Sequence, residues 1–204
     1  MEKTFLDAYM QTVAPSRISV IKGFFEKGKT ATPEKQVALI KDSLNIALID
    51  EWLAELNYFS SWNLSRTDGK TDFDPEFKQH EEEERDHRYK IINRLRELDC
   101  ISPNVPLYEF QKFNSQGEKW HQEFSTNSTE LLLRRLQEEE DAVDFYGAFI
   151  EFLKHTEDST TLKLIREIKA DEEQHVLDLR DLAREREILD LKLEKELEDA
   201  NNEE

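Results

Sequence analysis

Four glutamates and two histidines stand out by type and spacing. Glu51, Glu84, Glu139 and Glu172 occupy positions where the apolar period of a helix calls for a core residue. His87 and His175 each follow a glutamate by three residues, so each shares its helix face. Glu51 to Glu84 and Glu139 to Glu172 are both 33 residues apart, and adding 88 to Glu51, Tyr58, Glu84 and His87 gives Glu139, Tyr146, Glu172 and His175. Four carboxylates in a helical interior are costly, several kcal/mol per buried ion by order of magnitude, and repel one another. Two divalent cations would cancel the formal charge, and carboxylate oxygen with imidazole nitrogen suits iron, manganese or zinc. An accidentally acidic face is the competing reading, but spacing, periodicity and repeat agree independently against it.

The elements that must carry these residues are helices. Only 5 Gly and 5 Pro occur in 204 residues, while 36% of the chain is charged, which leaves little room for a hairpin-rich sheet. Residues 1–31 read as an amino-terminal arm with apolar spots (Phe5, Tyr9, Val20, Ile21, Phe24, Phe25) broken by Pro15, Gly23 and Gly28. Thr32-Pro33-Glu34 is an N-cap with proline at the first helical position. The first helix follows Ile40, Leu44, Ala47, Glu51, Tyr58 and Trp62 and stops before Thr67-Asp68-Gly69. Asp74-Pro75-Glu76 repeats the start signal for a second helix through Phe77, His80, Glu84, His87, Ile91 and Leu95, ending before Pro103.

Residues 101–127 form a long connection, with a short helix expected over 105–113. A third helix begins near Ser128 and carries Leu132, Leu136, Glu139, Val143, Tyr146 and Ile150. His155 to Ser159 is a break capped by Asp158, and a fourth helix uses Leu164, Ile168, Glu172, His175, Leu179 and Leu182. The expected organisation is all-α: an arm over 1–31, a four-helix bundle over 32–186 with a long crossover between helices 2 and 3, and a charged helical tail over 187–204.

Net charge is −18, from 28 basic and 46 acidic side chains. That opposes sequence-independent binding to DNA or to an anionic membrane. No apolar run reaches bilayer length and no secretory signal is visible in the first thirty residues. The single cysteine, Cys100, fits a cytoplasmic chain without disulfides. Neighbouring polar residues receive plainer readings. Glu81, Glu82, Glu83, Glu138, Glu140 and Glu173 are taken as solvated faces, Glu55 and His80 as polar packing, and Trp52, Trp62 and Trp120 as packing or interface. Tyr58 and Tyr146 either pack in the core or hydrogen-bond to a ligand carboxylate. A third Glu-x-x-His, Glu118 and His121, lacks a counterpart in the 88-residue repeat and is read as surface.

The stretch Leu44-Asn45-Ile46-Ala47-Leu48-Ile49-Asp50-Glu51-Trp52-Leu53-Ala54, followed by His80-Glu81-Glu82-Glu83-Glu84-Arg85-Asp86-His87, resembles the Dps-like ferritins of bacteria and archaea. Asp171-Glu172-Glu173-Gln174-His175 matches that family and the bacterioferritins. The resemblance spans roughly residues 36–185 and makes the chain a ferritin-like bundle. It implies self-assembly into a homo-oligomeric shell of twelve subunits that oxidises Fe(II) with hydrogen peroxide or dioxygen and stores the mineral. It also implies two irons per subunit, with Glu51 and Glu139 terminal, Glu84 and Glu172 bridging, and His87 and His175 completing one iron each. Manganese or zinc could substitute. Positions that carry a cysteine pair in many Dps-like ferritins are Asp141 and Leu162 here, so thiol chemistry is not expected. The position of the bacterioferritin haem methionine is Arg85, so no haem is expected. Two alternatives stay open: a dimanganese enzyme that disproportionates peroxide, and a non-catalytic acidic helical protein that binds a partner.

Overall fold

The computed structural model describes residues 14–65, 74–100 and 128–185. These residues form five helices, α1 (Ala14–Gly28), α2 (Pro33–Ser65), α3 (Asp74–Glu97), α4 (Ser128–Leu153) and α5 (Ser159–Glu185), with no strand among them. α2 packs along α3 and α4 along α5, and the two antiparallel pairs face each other across a shared core. The expected short helix at 105–113, the Glu118/His121 pair, Trp120 and the charged tail lie outside the described residues.

The start signals work as their chemistry predicts. Pro33 opens α2, and the first backbone bond runs from Gln36 N to Thr32 O at 2.9 Å. Asp158 caps α5, accepting from Thr161 N at 2.8 Å and from Thr161 Oγ1 at 2.6 Å, while Arg94 of α3 grips both its oxygens at 2.8 and 2.9 Å. The cap therefore also ties the two helix pairs together.

Two expectations need correction. Pro15 and Gly23 do not interrupt the chain: Pro15 sits in the first turn of α1, where its missing N–H costs nothing, and Gly23 lies within the same helix. Ile21 and Phe25 of α1 are buried, and the Phe25 ring stacks against both Phe149 and Phe152 at centroid distances of 5.4 and 5.3 Å. Full burial of such a ring is worth about 1.5–3 kcal/mol, which docks α1 on α4. Gly28 lets the chain turn close to the core, because a Cβ there would meet Leu39 Cδ2 at 2.6 Å and Phe152 Cε2 at 2.8 Å. Gln36 Nε2 then bridges the α1–α2 and α4–α5 turns through Gly28 O and His155 O, each at 3.2 Å. On α5 the buried stripe is one residue out of the expected phase at both ends: Ile165 and Ala183 are buried, with Leu164 and Leu182 only partly covered.

The core divides into two apolar clusters, one built on Leu44, Ile91, Phe149 and Ile168, the other on Tyr58, Phe77, Leu132 and Leu179. The acidic residues sit between them. Among the described residues, no helix is long and apolar enough to cross a membrane.

Candidate metal centre

All six residues picked out by the 88-residue repeat converge in the interior. Glu51 (α2), Glu84 and His87 (α3), Glu139 (α4), and Glu172 and His175 (α5) are each no more than 3% exposed. Each bundle helix contributes one glutamate, and α3 and α5 add a histidine one turn later. Their donor atoms form two groups, Glu51/Glu84/His87/Glu172 and Glu84/Glu139/Glu172/His175, within each of which all donors lie within 4.8 Å of one another. Glu84 and Glu172 belong to both.

Both histidines point Nδ1 inward. His87 Nδ1 lies 3.1 Å from Glu172, 3.2 Å from Glu51 and 3.5 Å from Glu84. His175 Nδ1 lies 3.2 Å from Glu84, 3.3 Å from Glu172 and 3.6 Å from Glu139. Their outward nitrogens are braced by acids: His87 Nε2 donates to Asp171 at 3.1 Å and His175 Nε2 donates to Glu83 at 2.9 Å. Orienting a ligand imidazole through its second nitrogen fixes the tautomer that leaves the first free for a metal. Buried phenols brace the lone glutamates: Tyr58 donates to Glu139 and Tyr146 donates to Glu51. Of the two readings open for these tyrosines, packing and hydrogen bonding, both hold at once.

Electrostatics expose the repulsion within this cluster of acids. Burial, then repulsion from Glu172, Glu51 and Glu139, pushes Glu84 well above the ordinary carboxylate range. Glu139 rises to about 7 through burial and the Glu172 charge. Glu172 moves the other way: burial and Glu51 would raise it, but hydrogen bonds with His175, His87 and Glu139 outweigh them. Burial disfavours charge on both imidazoles, yet hydrogen bonds to the surrounding carboxylates lift His87 and His175 above the usual histidine range. Retained protons on these groups relieve the repulsion among the four carboxylates. His175 Nδ1 lies 3.2 Å from Glu84 Oε1 and 3.3 Å from Glu172 Oε2, yet the alignment is poor and none of these three atoms completes a well-formed hydrogen bond among the described residues. Buried polar atoms of this kind normally find a partner, and an oxygen-and-nitrogen set with four acids fits a pair of divalent transition ions.

The surroundings depart from expectation most at Glu83 and His80, while Glu81 and Glu138, also read as solvated, are part-buried and bonded to Arg85 and to Asn57 and Arg135. Glu83, read from sequence as a solvated face, is a brace for His175, and that hydrogen bond holds its carboxyl down at about 2. Asp171 is its partner under the same 88-residue offset, so the repeat held the signal. His80 is more than polar packing. It is 0% exposed, stacks on the His175 ring at 4.0 Å and meets Tyr58 edge-on at 5.1 Å. Burial and the neighbouring His175 push its imidazole down to about 3, so it is neutral.

Other expectations find ordinary roles. Glu55 pairs with Arg88 at 2.7 Å and Arg85 at 3.5 Å. Arg88 also lies over Trp52, 5.3 Å from the ring centroid. Asp141 accepts from Gln137, Leu162 packs on the core, and Cys100 receives a weak contact from Asn45 Nδ2 at 3.7 Å.

With this geometry, the match of residues 41–188 to the ferritin-like domain decides the family. The chain belongs to the ferritin-like family. Among solved structures, this ferritin-like chain is similar to a dodecameric thioferritin, the bacterioferritin-related protein from Bacteroides fragilis. That likeness has 27% identity and a TM-score of 0.61, and covers 85% of this chain and 98% of the other. No curated protein matches the chain.

Proposed function

We propose that this chain is a Dps-like ferritin subunit that oxidises Fe(II) at an intrasubunit site and stores the ferric product within a homo-oligomeric shell in the cytoplasm. The observation that carries this reading is the pair of buried donor groups sharing Glu84 and Glu172. Two Fe(II) ions bind as substrate, one between Glu51, His87 and the shared glutamates, the other between Glu139, His175 and the same two. The dodecameric assembly of the Bacteroides fragilis thioferritin supports a shell of twelve. That protein's name points to sulfur, whereas Cys100 is the single cysteine here, so an intrachain cysteine pair is not part of this chemistry.

The residues divide the work. Glu84 and Glu172 hold the ions side by side, so that one peroxide or dioxygen molecule can take two electrons at once. Hard anionic oxygens stabilise Fe(III) over Fe(II). Asp171 and Glu83 keep each imidazole Nδ1 aimed inward, and Tyr146 and Tyr58 hold the terminal carboxylates in place. The two apolar clusters above and below keep bulk water from competing for the ions.

Anaerobic Fe(II) titration of metal-free protein tests the proposal. The expected result is two tightly held ions per chain at the centre, followed by their oxidation when peroxide or dioxygen is admitted. Glu84→Ala should abolish both. Uptake and oxidation unchanged in Glu84→Ala would overturn the reading, and oxygen evolution from peroxide without net iron oxidation would replace it with peroxide disproportionation.

A further inference from the structure

A second group of potential ligands lies outside the central six. Glu76 and His80 are one turn apart on α3, and Asp178 faces them from α5, with donor atoms within 4.8 Å of one another. His80 Nε2 is 3.5 Å from Glu76 Oε1 and 3.7 Å from Asp178 Oδ2. Both ring nitrogens of this fully buried histidine lack a hydrogen-bond partner among the described residues. An unsatisfied imidazole in a core is rare, and here it has carboxylates beside it at separations too long and too poorly aligned for hydrogen bonds.

Those separations have a natural explanation. Two ligand atoms bound to one tetrahedral ion at about 2.1 Å stand roughly 3.4 Å apart. Nε2 is therefore spaced from each carboxylate oxygen as two donors on a common ion would be. Asp178 is already oriented, because Gln174 Nε2 donates to its other oxygen, Oδ1, at 2.7 Å. Both carboxylates are partly exposed, so an ion can reach them, whereas the imidazole forms the closed end of the site.

We propose that Glu76, His80 and Asp178 bind a third divalent transition ion, separate from the central pair and one imidazole removed from it. One nitrogen and two carboxylates leave at least one position to water, which makes this site weaker and faster to exchange than the four-donor groups at the centre. Its neighbour across the ring stack is His175, so an ion held here stands beside the dinuclear centre without sharing a ligand atom with it. The assignment rests on His80 and its two carboxylates and does not require that the centre oxidise iron.

Zn(II) is the probe, since it is redox-inert and gives anomalous scattering. Crystals of the full chain soaked in Zn(II) should show an anomalous peak about 2.1 Å from His80 Nε2, in addition to those at the central pair. Asp178→Asn and Glu76→Gln, both at the accessible rim, should each lose that peak and lower calorimetric Zn(II) uptake by one ion per chain. Glu84→Ala should empty the centre and keep the outer ion. Absence of the outer peak in the unmodified protein, or its persistence in both rim variants, would overturn the proposal. A filled outer site beside an empty centre would sustain it and defeat the ferroxidase reading instead.

Discussion

Glu83 on α3 accepts from His175 Nε2 on α5 at 2.9 Å, and 88 residues later Asp171 on α5 accepts from His87 Nε2 on α3 at 3.1 Å. Each acid immediately precedes a glutamate of the central cluster and braces the histidine of the opposite helix. Removing such a brace typically costs 10–100-fold in metal affinity. Asp171→Ala and Glu83→Ala should therefore weaken Zn(II) binding at the centre by about that factor while the fold survives, since both side chains are substantially exposed. Competition titration against a chromophoric chelator measures it, and unchanged affinity in both variants would show that the braces are incidental.

Tyr58 and Tyr146 act on the same centre from within the core. Tyr58→Phe and Tyr146→Phe leave a buried carboxylate short of one donor, at a cost of about 1–3 kcal/mol. A bound cation neutralises that carboxylate directly. Thermal melts should thus show a larger loss in the metal-free than in the Zn(II)-loaded variants, and equal losses would refute the coupling.

The protonation pattern predicts a pH dependence with a definite sign. In the metal-free fold Glu139 is raised from 4.5 to about 7, and Glu84 and both histidines are also raised. A raised group stabilises the fold fully below its unfolded pKa and loses that contribution as pH climbs through its folded pKa. Glu172 and Glu83, lowered by their hydrogen bonds, and His80, lowered by burial, oppose the trend but are outnumbered by the raised groups. Metal-free protein should melt at progressively lower temperature, relative to the loaded form, between pH 5 and pH 8. Metal uptake at pH 7 should release protons, visible as calorimetric enthalpies that change with buffer ionisation heat. A gap that narrows with rising pH would contradict the assignment.

Asp158 joins a helix cap to an ion pair across the bundle. Its carboxyl is held low: burial would raise it, but the bonds from Thr161 and Arg94 prevail. Asp158→Ala should cost about 2 kcal/mol, the upper end for loss of a cap, read as a shift in the denaturation midpoint. Asp158→Asn, which keeps an acceptor for Thr161 N but loses the charge and the acceptor for Thr161 Oγ1, should lose less.

The centre was legible in the letters because a carboxylate at a core position contradicts its own helix, and the contradiction recurs four times on a fixed offset. Glu83 was not, because it stands in the run Glu81–Glu84, where the core-facing Glu84, the bracing Glu83 and the exposed Glu82 look alike until the helix is phased against its neighbour. The docking of α1 was hidden for a different reason. Pro15 and Gly23 weaken a helix locally, but the packing of Phe25 on Phe149 and Phe152 is a long-range contact that no window around residue 25 contains. His80 could be placed on the inner face from its spacing, but its missing partners become visible only once α5 lies across it.

The crossed bracing has a consequence for how such a molecule could arise. Neither helical hairpin holds a finished half: α2 with α3 brings Glu51, Glu84 and His87, yet the acid that orients His87 and the fourth donor of its group, Glu172, come from α5. A progenitor consisting of one hairpin would have completed such a four-donor group only by pairing with a second copy of itself, so tight metal capture and dimerisation would have been linked before the two copies were fused.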